Sequence, residues 1–598
     1  MLRSLYQVAV AQGFLKVCLT VFTRMPRYRT LLRFSFVLDL VVVTLIWTAC
    51  AGGSSATSSS TPPTAGTLSA SFTLAPASPT VSQVVQFTDT STGSPTAWSW
   101  NFGDGATSTL QHPTHVYAAS GSVTVTLVAT NARGSGTAIS AVTVGASQSK
   151  TALGIVLGRP TDNSVTASVR ADAGMEVVLE FGTASGAYTS QSQSAVGISS
   201  GPVVVLLSGL QADTQYYYRP RYRAQTDTTS RVDPERTFHT KRPSGASFTF
   251  VIQADPHMDG NSSSAVYSQT LLNALADRPD FMIDLGDTSM AEKCSIDGTN
   301  LCAAAGPATP ASVSARYSMM RSYFDAACHS IPLFMVLGNH DGEAGWVGDP
   351  GANTLDTWAV TARKLLFVNP EPDVFYSGNS VASAGIGLRQ NYYAFEWGSV
   401  LIVVLDPYTY TTPKPGTNGW GWTLGATQYQ WLARTLAGSR ARFKLVFSHH
   451  LLGGNGTDAR GGAAFAQFFE WGGRNLDGTW GFDKQRPGWS APIHQLFVDN
   501  KVTAWFHGHD HLYAQEQVDG IVYQEVPQPS LARYDTADPG AGYGYLGTVG
   551  SNIFPSSGHL RLSVTASDIR VEYVRSVAPS DETATRKNGT VIASYTIR

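Results

Sequence analysis

Five short segments rich in metal-binding residue types constrain the fold of this chain more than any other feature of its sequence. Each segment follows a run of apolar residues with strand character, at residues 248–252, 281–285, 333–337, 443–447 and 502–506. The segments are Asp255-Pro256-His257, Gly286-Asp287, Gly338-Asn339-His340-Asp341, His449-His450 and Gly508-His509-Asp510-His511. Seven of the 13 histidines lie in these segments or, as His507 does, directly before one. Buried strands read as apolar runs and functional residues gather where strands end, so the pattern predicts an α/β sheet with these side chains at one edge.

Length and charge limit the class of protein. A chain of 598 residues is too long for one hydrophobic core, so several domains are expected. The formal net charge of -2 leaves no basic surplus, and no nucleic-acid-binding surface is expected.

The first 50 residues have the pattern of an export signal. An apolar stretch at 34–49 follows three arginines, and a tract of Ser, Thr, Gly and Pro at 51–67 reads as a linker. Small residues directly before Cys50 resemble a bacterial lipoprotein signal, which implies lipidation of Cys50 and an exported protein that meets the membrane only through this anchor. Plain secretion and an uncleaved anchor are the alternatives, although about 16 apolar residues fall short of the ~20 that span a bilayer.

Three cysteines remain beyond this leader. In an oxidising compartment Cys294 and Cys302 are the candidates for a disulfide that closes one small loop, which leaves Cys328 single. The alternative is three unpaired thiols.

Residues 68–146 alternate apolar and polar positions, for example at 123–127, which predicts antiparallel strands with one buried face. The run 98–105, which reads WSWNFGDG, and His115-Val116-Tyr117 resemble the signature of a polycystic-kidney-disease (PKD) repeat, a small β-sandwich. Asp104 and His115 are expected to serve the turn and the core. The module itself is expected to act as a spacer or to bind a cell-surface polymer.

Residues 151–243 form a second β-rich stretch. Its segment 210–219, with three consecutive tyrosines, resembles the closing strands of a fibronectin type III-like sandwich. Such a domain precedes the catalytic domain in purple acid phosphatases. Alternating tyrosines in a sandwich strand are expected to pack in the core and across strands.

Residues 247–575 alternate strand runs with helical periodicity at 264–276, 312–327 and 425–436, which predicts an α/β domain. Over residues 248–513 the five segments resemble the calcineurin-like metallophosphoesterase superfamily, purple acid phosphatases included. The predicted fold is therefore multidomain, with two N-terminal β-sandwiches before an α/β domain of two packed mixed sheets flanked by helices. Residues 576–598 are left as a C-terminal extension.

The resemblance implies a centre of two metal ions. One ion would be bound by Asp255, His257, Asp287 and His511, and the other by Asp287, Asn339, His449 and His509, with Asp287 bridging both. The mixed oxygen and nitrogen donors suit Fe, Mn or Zn better than Ca. Leu451 stands where the family has proline, which leaves His450 as the alternative to His449. Met290 occupies the place of the tyrosine that colours purple acid phosphatases, so no such colour is expected.

His340 has a different expected role. The resemblance implies that it either stabilises the phosphoryl group or protonates the leaving oxygen, with Asp341 orienting it, while a metal-bridging hydroxide is the nucleophile. The alternative is a histidine that merely supports Asn339.

The sequence therefore predicts an exported hydrolase of phosphorylated small molecules, with monoesters favoured because the domain order resembles purple acid phosphatases. A phosphodiesterase or nucleotidase is the alternative, and a non-catalytic cell-surface binding protein is a third. The Gly- and Trp-rich stretch 453–489 contains Trp471, Trp480 and Trp489, which could stack a base or pack a lid.

Overall fold

The computed structural model describes residues 68–75, 79, 84–117, 121–144, 153–293, 295–296, 299–300, 307–347, 353–456, 458–534, 543–545, 547 and 551–598. The chain divides into two compact units, one up to Ser149 and one over Lys150–Arg598. Cys50, Cys294 and Cys302 lie outside the described residues, so the lipidation and the disulfide stay predictions. No helix among the residues described is long and apolar enough to cross a membrane.

The first unit is a β-sandwich of two antiparallel sheets, ordered β1-β2-β5 and β4-β3-β6-β7. Its strands are β1 (Phe72–Ala75), β2 (Val84–Asp89), β3 (Ala97–Asn101), β4 (Thr107–Ser108), β5 (Thr114–Val116), β6 (Gly121–Asn131) and β7 (Gly134–Val144). Trp100 and Phe87 are fully buried between the sheets. The Asp104 carboxylate pairs with His115 at 2.7 Å beside the turn, as expected for residues that serve the turn and the core.

The second unit begins with another β-sandwich, whose sheets are ordered β13-β9-β8 and β11-β10-β14-β15, with β12 on β10 and β16 on β14. Its strands are β8 (Gly154–Gly158), β9 (Ser164–Arg170), β10 (Met175–Gly182), β11 (Ser190–Gln191), β12 (Ala195–Val196), β13 (Val203–Ser208), β14 (Gln215–Ala224), β15 (Arg231–Val232) and β16 (Arg236–His239). Tyr216 and Tyr218 are buried and Tyr217 is half-buried, because alternate residues of β14 face the core.

This sandwich is fastened to the α/β domain by buried polar contacts. The guanidinium of Arg321, which has no exposed surface, donates to the carbonyl oxygens of Gly154 at 3.1 Å and Ser168 at 2.8 Å. The Tyr376 hydroxyl donates to the Pro160 carbonyl at 2.5 Å. The two parts therefore pack as one compact unit.

The α/β domain contains two mixed sheets that pack face to face, which confirms the predicted fold class. The first is ordered β21-β18-β17-β32-β33-β34 and the second β22-β25-β26-β27-β28-β30-β29-β31. In chain order, the strands up to His507 are β17 (Phe248–Gln253), β18 (Met282–Asp284), β19 (Ser295–Ile296), β20 (Thr299–Asn300), β21 (Leu333–Met335), β22 (Ser377–Gly378), β23 (Ala382–Ser383), β24 (Gly387–Leu388), β25 (Tyr393–Trp397), β26 (Val400–Val404), β27 (Phe443–Phe447) and β28 (Ala504–His507). The remaining strands are β29 (Leu512–Val518), β30 (Ile521–Glu525), β31 (Ile553–Pro555), β32 (Gly558–Val564), β33 (Ile569–Arg575) and β34 (Val591–Ile597).

Helices cover the outer faces of both sheets. They are α1 (Ser264–Ala276), α2 (Pro310–Phe324), α3 (Leu355–Leu366), α4 (Gly425–Gly438), α5 (Phe469–Gly472), α6 (Phe482–Gln485) and α7 (Ile493–Asp499). The first three pack with one face of the first sheet, and α4 and α7 pack with the second sheet. A phenylalanine-rich core that includes Phe250, Phe281, Phe395 and Phe506 fills the space between the sheets. The segment 576–598 ends in β34, which pairs antiparallel with β33 as the outer strand of the first sheet.

Candidate metal centre

The predicted ligands lie at the carboxyl ends of five strands. Asp255 follows β17, Asp287 follows β18, Asn339 follows β21, His449 follows β27, and His509 and His511 follow β28. The strands β17, β18 and β21 are parallel, and so are β27 and β28, so their carboxyl ends meet along the edge of each sheet. The structure thus brings the five segments together as the sequence predicts.

Six of the predicted ligands form two groups in which one ligand atom from each residue lies within 4.8 Å of the others. The groups are Asp255, His257 and His511, and Asp287, His449 and His509.

The distances within and between the groups suit shared cations. Oδ1 of Asp255 lies 3.5 Å from Nε2 of both His257 and His511. Oδ2 of Asp287 lies 3.2 Å from Nε2 of His449 and 3.5 Å from Nε2 of His257, so Asp287 contacts both groups. Ligand atoms about 2.1 Å from one metal ion lie about 3–3.5 Å from each other, which matches these separations.

Four ligand atoms have no hydrogen-bond partner although they are buried. They are Oδ1 of Asp255, Nε2 of His257, Oδ1 of Asn339 and Nε2 of His449. Buried polar atoms almost always have hydrogen-bond partners in native proteins, and Asp255 and His449 instead meet oppositely charged ligand atoms at 3.2–3.7 Å, an arrangement that suits a shared cation. A mixture of carboxylate, amide and imidazole donors fits the Fe, Mn or Zn ions that the sequence predicts.

Hydrogen bonds to the opposite ring atoms orient two of the imidazoles. Nδ1 of His449 donates to the Leu285 carbonyl oxygen at 2.9 Å, which leaves Nε2 free to bind a metal ion. Nε2 of His509 donates to the Asp458 carbonyl oxygen at 2.8 Å, which leaves Nδ1 free. His450 belongs to neither group and packs edge-on against Trp422 at 4.5 Å, so the geometry favours His449 over the alternative His450.

Several ligands adopt a backbone conformation that side-chain-bearing residues rarely take. The φ angles of Asp255, His257, Asp287, His509 and His511 are 60°, 52°, 53°, 85° and 60°. Positive φ is uncommon outside glycine, and such strain concentrates at functional sites.

Two glycines let the ligand-bearing loops touch. A Cβ on Gly286 would lie 2.3 Å from the Gly338 nitrogen, and a Cβ on Gly338 would lie 2.1 Å from the Asp287 nitrogen. This close approach places Asp287 against the loop that follows β21, where Oδ1 of Asp287 accepts a hydrogen bond from the backbone nitrogen of His340 at 2.7 Å. Glycine therefore precedes both Asp287 and Asn339 for the same steric reason, which is that the two loops are too close for a side chain at either position.

The charges of the centre are mutually stabilised in the metal-free protein. Burial raises the pKa of Asp255, but His449 and the neighbouring histidines outweigh it and hold that pKa well below its usual value. Burial lowers the pKa of His449, yet the Asp287 and Asp255 carboxylates raise it to about 9. A bound cation would therefore replace the proton that His449 carries near neutral pH.

The structure corrects the predicted role of Asp341. Its buried carboxylate accepts hydrogen bonds from the backbone nitrogens of Asp287 at 2.9 Å, Ser289 at 2.8 Å and Gly338 at 2.8 Å. It therefore holds the two ligand loops together and does not orient the His340 ring. Burial, followed by the charge of Asp287, raises the pKa of Asp341 to about 7.

Glu292 takes the place that the sequence assigned to Asp341. Its Oε1 contacts Nδ1 of His340 closely, and both side chains are about one-third exposed at the cleft. The pKa of His340 is raised, because Asp287 and Glu292 outweigh the lowering effect of burial. The only sequence signal for Glu292 is an acidic residue shortly after the Gly286-Asp287 segment, which does not by itself indicate a partner for a distant histidine.

A cleft of about 530 Å³ opens beside the centre. It is lined by Asn339, His340 and His509 together with three basic side chains, Lys293, Lys414 and Arg460. Arg460 is fixed by Nη1, which donates to Oδ1 of Asp510 at 2.7 Å and to the His509 carbonyl oxygen at 2.9 Å. The cleft therefore joins the candidate metal ligands to positive charge suited to an anionic substrate.

The tryptophans of the stretch 453–489 do not line this cleft. Trp471 has no exposed surface and donates to the Tyr523 hydroxyl at 2.8 Å. Trp489 stacks on Tyr429 with 3.8 Å between ring centres. Trp480 is 52% exposed and lies outside the cleft lining. Packing therefore accounts for Trp471 and Trp489, and the suggestion that these residues stack a base is not supported.

Family comparison decides the class of this domain. The sequence profile described as calcineurin-like phosphoesterase matches residues 248–513. The chain carries a calcineurin-like phosphoesterase domain. It is a metal-dependent phosphoesterase, as predicted. The profile of the PKD domain matches residues 60–145, which confirms the resemblance of the first sandwich.

Solved structures agree at the level of the fold. A structure of PhoD is 16% identical with a TM-score of 0.51, and the match covers 74% of this chain and 89% of PhoD. The purple acid phosphatase PPD1 from yellow lupin (Lupinus luteus) seeds is 13% identical with a TM-score of 0.52, and the match covers 88% of this chain and 95% of PPD1. A comparison with curated protein sequences finds no match.

Proposed function

We propose that this protein hydrolyses phosphate monoesters at a centre of two metal ions held by Asp255, His257, Asp287, Asn339, His449, His509 and His511. The observation that carries the proposal is the set of buried ligand atoms that converge without hydrogen-bond partners. When bound, two cations in such a site supply an activated water and neutralise charge on a phosphoryl group.

The chain's own residues account for the remaining requirements of the reaction. Lys293, Lys414 and Arg460 attract and position the anionic ester in the cleft. His340, in contact with Glu292, is placed to give a proton to the departing oxygen or to stabilise charge on the phosphoryl group. Asp341 keeps the loops of Asp287 and Asn339 at a fixed separation through its three backbone hydrogen bonds.

Charge favours a monoester over a diester. A phosphate monoester carries about -1.5 to -2 charges near neutral pH, and a diester carries only one. Three basic side chains and His340 line the cleft; Glu292 and Asp458 in the same lining oppose them, and Asp510 pairs with Arg460. The alternative of a phosphodiesterase or nucleotidase would use the same centre.

An assay of 4-nitrophenol release, a product of both esters below, tests the proposal. The protein is stripped with a chelator, reloaded with Fe, Mn or Zn, and offered 4-nitrophenyl phosphate and bis(4-nitrophenyl) phosphate. We expect metal-dependent release with a higher kcat/KM for the monoester, loss of activity in His449→Gln and retention in His494→Gln, a histidine outside both ligand groups. A higher kcat/KM for the diester would reverse the choice of substrate, and no release from either ester would refute the function.

We also propose export with lipidation at Cys50, which rests on the leader pattern alone. Stable anchoring requires more than one acyl chain, as bacterial lipoproteins carry. Metabolic labelling with a fatty acid should mark the wild type in the membrane fraction and should not mark Cys50→Ser. A labelled Cys50→Ser variant would contradict the proposal, and an unlabelled soluble wild type would support plain secretion.

A further inference from the structure

The cleft beside the metal centre is lined by polar and by apolar side chains. The candidate ligands Asn339 and His509 lie there with His340 and with charged residues, among them Lys414, whose Nζ lies 6.0 Å from the centre of the Trp346 ring. The aromatic and apolar side chains form the aromatic wall of the cleft, namely Trp346, Val347, Leu355, Pro415 and Trp422. Apolar side chains do not stabilise a phosphoryl group, which is charged and strongly hydrated, so this wall is suited to contact another part of the substrate.

Trp346 is the most exposed aromatic residue of this wall and is held rigidly. Its ring meets Trp422 edge to face at 5.4 Å and 89°, and meets Tyr408 at 6.1 Å and 77°. Both partners are buried, at 4% and 0% exposure, whereas Trp346 is half-buried. The backbone before it is fixed as well, because the Gly345 nitrogen donates to the Tyr408 carbonyl oxygen at 3.0 Å. A rigid, partly exposed indole in a cleft offers contact area at low entropic cost.

The size of the cleft leaves room beyond the phosphoryl group. Its volume of about 530 Å³ lies within the range of about 300–1,000 Å³ typical of sites for whole small molecules. His340, the residue placed to protonate the departing oxygen, lines the same cleft as Trp346. The leaving alcohol is therefore the part of the substrate that can reach the aromatic wall.

We infer that the cleft selects phosphate esters whose alcohol carries a planar aromatic ring, which packs against Trp346. This inference rests on the proposed phosphoesterase function and adds the class of leaving group to it. Two kinds of ester carry such a ring. In one the ring is attached to the carbon that bears the ester oxygen, and in the other, the nucleotides, a sugar separates the ring from the ester. Esters of small polar or purely aliphatic alcohols have no ring to stack on Trp346, so we expect no increase in their affinity from this wall.

Binding of phosphonates, which cannot be hydrolysed, tests the inference without a reaction. Calorimetry on the metal-loaded protein compares 2-phenylethylphosphonate with butylphosphonate, which have the chain lengths of benzyl phosphate and propyl phosphate. We expect about tenfold tighter binding of the phenyl compound, since stacking on an aromatic side chain is commonly worth a factor of about that order. Trp346→Ala should abolish the difference and Trp346→Phe should keep most of it. The control Trp480→Ala, at an exposed tryptophan outside the cleft, should leave it unchanged.

Equal binding of the two phosphonates by the wild type, or an undiminished difference in Trp346→Ala, would overturn the inference. Circular dichroism of each variant establishes that it is folded, and the Phe variant keeps the test valid should the Ala variant unfold.

Matched esters then identify the source of the ring and distinguish a failure of the aromatic preference from a failure of the proposed function. Benzyl phosphate is compared with propyl phosphate, and adenosine 5′-monophosphate with ribose 5-phosphate, so that each pair has similar leaving oxygens. A kcat/KM advantage of about tenfold in one pair identifies the source. Hydrolysis of all four esters with no advantage in either pair overturns the aromatic preference alone, whereas no hydrolysis of any ester overturns the proposed function as well.

Discussion

Gly338→Ala tests the tight contact between two ligand loops. The added Cβ would lie 2.1 Å from the Asp287 nitrogen and 2.3 Å from its Oδ1, whereas ordinary contacts begin at 3.4 Å. The loops must therefore separate by about 1 Å, and the atoms in the way are a backbone nitrogen and the carboxylate predicted to bridge both metal ions. A misplacement of about 1 Å can cost about 10²-fold in rate, and overpacking of this kind costs about 1–3 kcal/mol in the free energy of unfolding.

The assay measures bound metal and kcat/KM for 4-nitrophenyl phosphate in Gly338→Ala and in Gly438→Ala. Gly438 ends α4, and a Cβ there would meet no atom within 4 Å, so this control should behave as the wild type. We expect the Gly338 variant to lose metal and about 10²-fold of its activity. Full metal content together with full activity would refute the steric argument.

His340→Ala should lower the rate of hydrolysis of alkyl phosphates by about 10²–10⁴-fold and that of activated aryl phosphates much less, because only the alkyl leaving group needs a proton. Glu292→Gln should show a smaller loss in the same pattern. Equal losses on both ester types would make His340 a stabiliser of phosphoryl charge. Burial and the charge of Asp287 raise the pKa of Asp341 to about 7, so ionising this carboxyl costs more in the folded protein than in the unfolded chain, and the free energy of unfolding of the wild type should fall as the pH rises from about 4 to 7. Asp341→Asn should lose this contribution in urea titrations across that range; an unchanged pH dependence would contradict this. Because His449 has a pKa of about 9 in the metal-free protein, metal affinity should rise with pH between 6.5 and 8.5 by up to about tenfold per unit for this residue, and calorimetry that finds constant affinity would exclude a protonated ligand.

Sequence patterns predicted the parts of this structure that depend on local periodicity. Apolar runs marked β17, β18, β21, β27 and β28, since a strand buried on both faces has no polar side to interrupt it. The ligands follow those runs because the carboxyl ends of parallel strands share one edge, so their meeting in space could be expected from the order of the segments.

Contacts between distant loops could not be predicted in this way. Glu292 meets His340 through the folding of the loop after β18, and nothing in the spacing of the two residues shows this. The resemblance pairs Asp341 with His340 as the carboxylate that favours its imidazolium form, but the Asp341 carboxylate accepts hydrogen bonds from the backbone nitrogens of Asp287, Ser289 and Gly338 instead. The position of Trp346 in the cleft could not be predicted either, because it depends on packing against Tyr408 and Trp422, which are distant in sequence.

The metal content of the purified protein tests the central claim most directly. The two groups of ligand atoms, joined by Asp287, predict two metal ions per chain in the wild type. Asp287→Ala should retain neither ion, because it removes the carboxylate that contacts both groups and offsets the repulsion of the two cations. Two ions retained in Asp287→Ala, or fewer than two in the fully loaded wild type, would contradict the account.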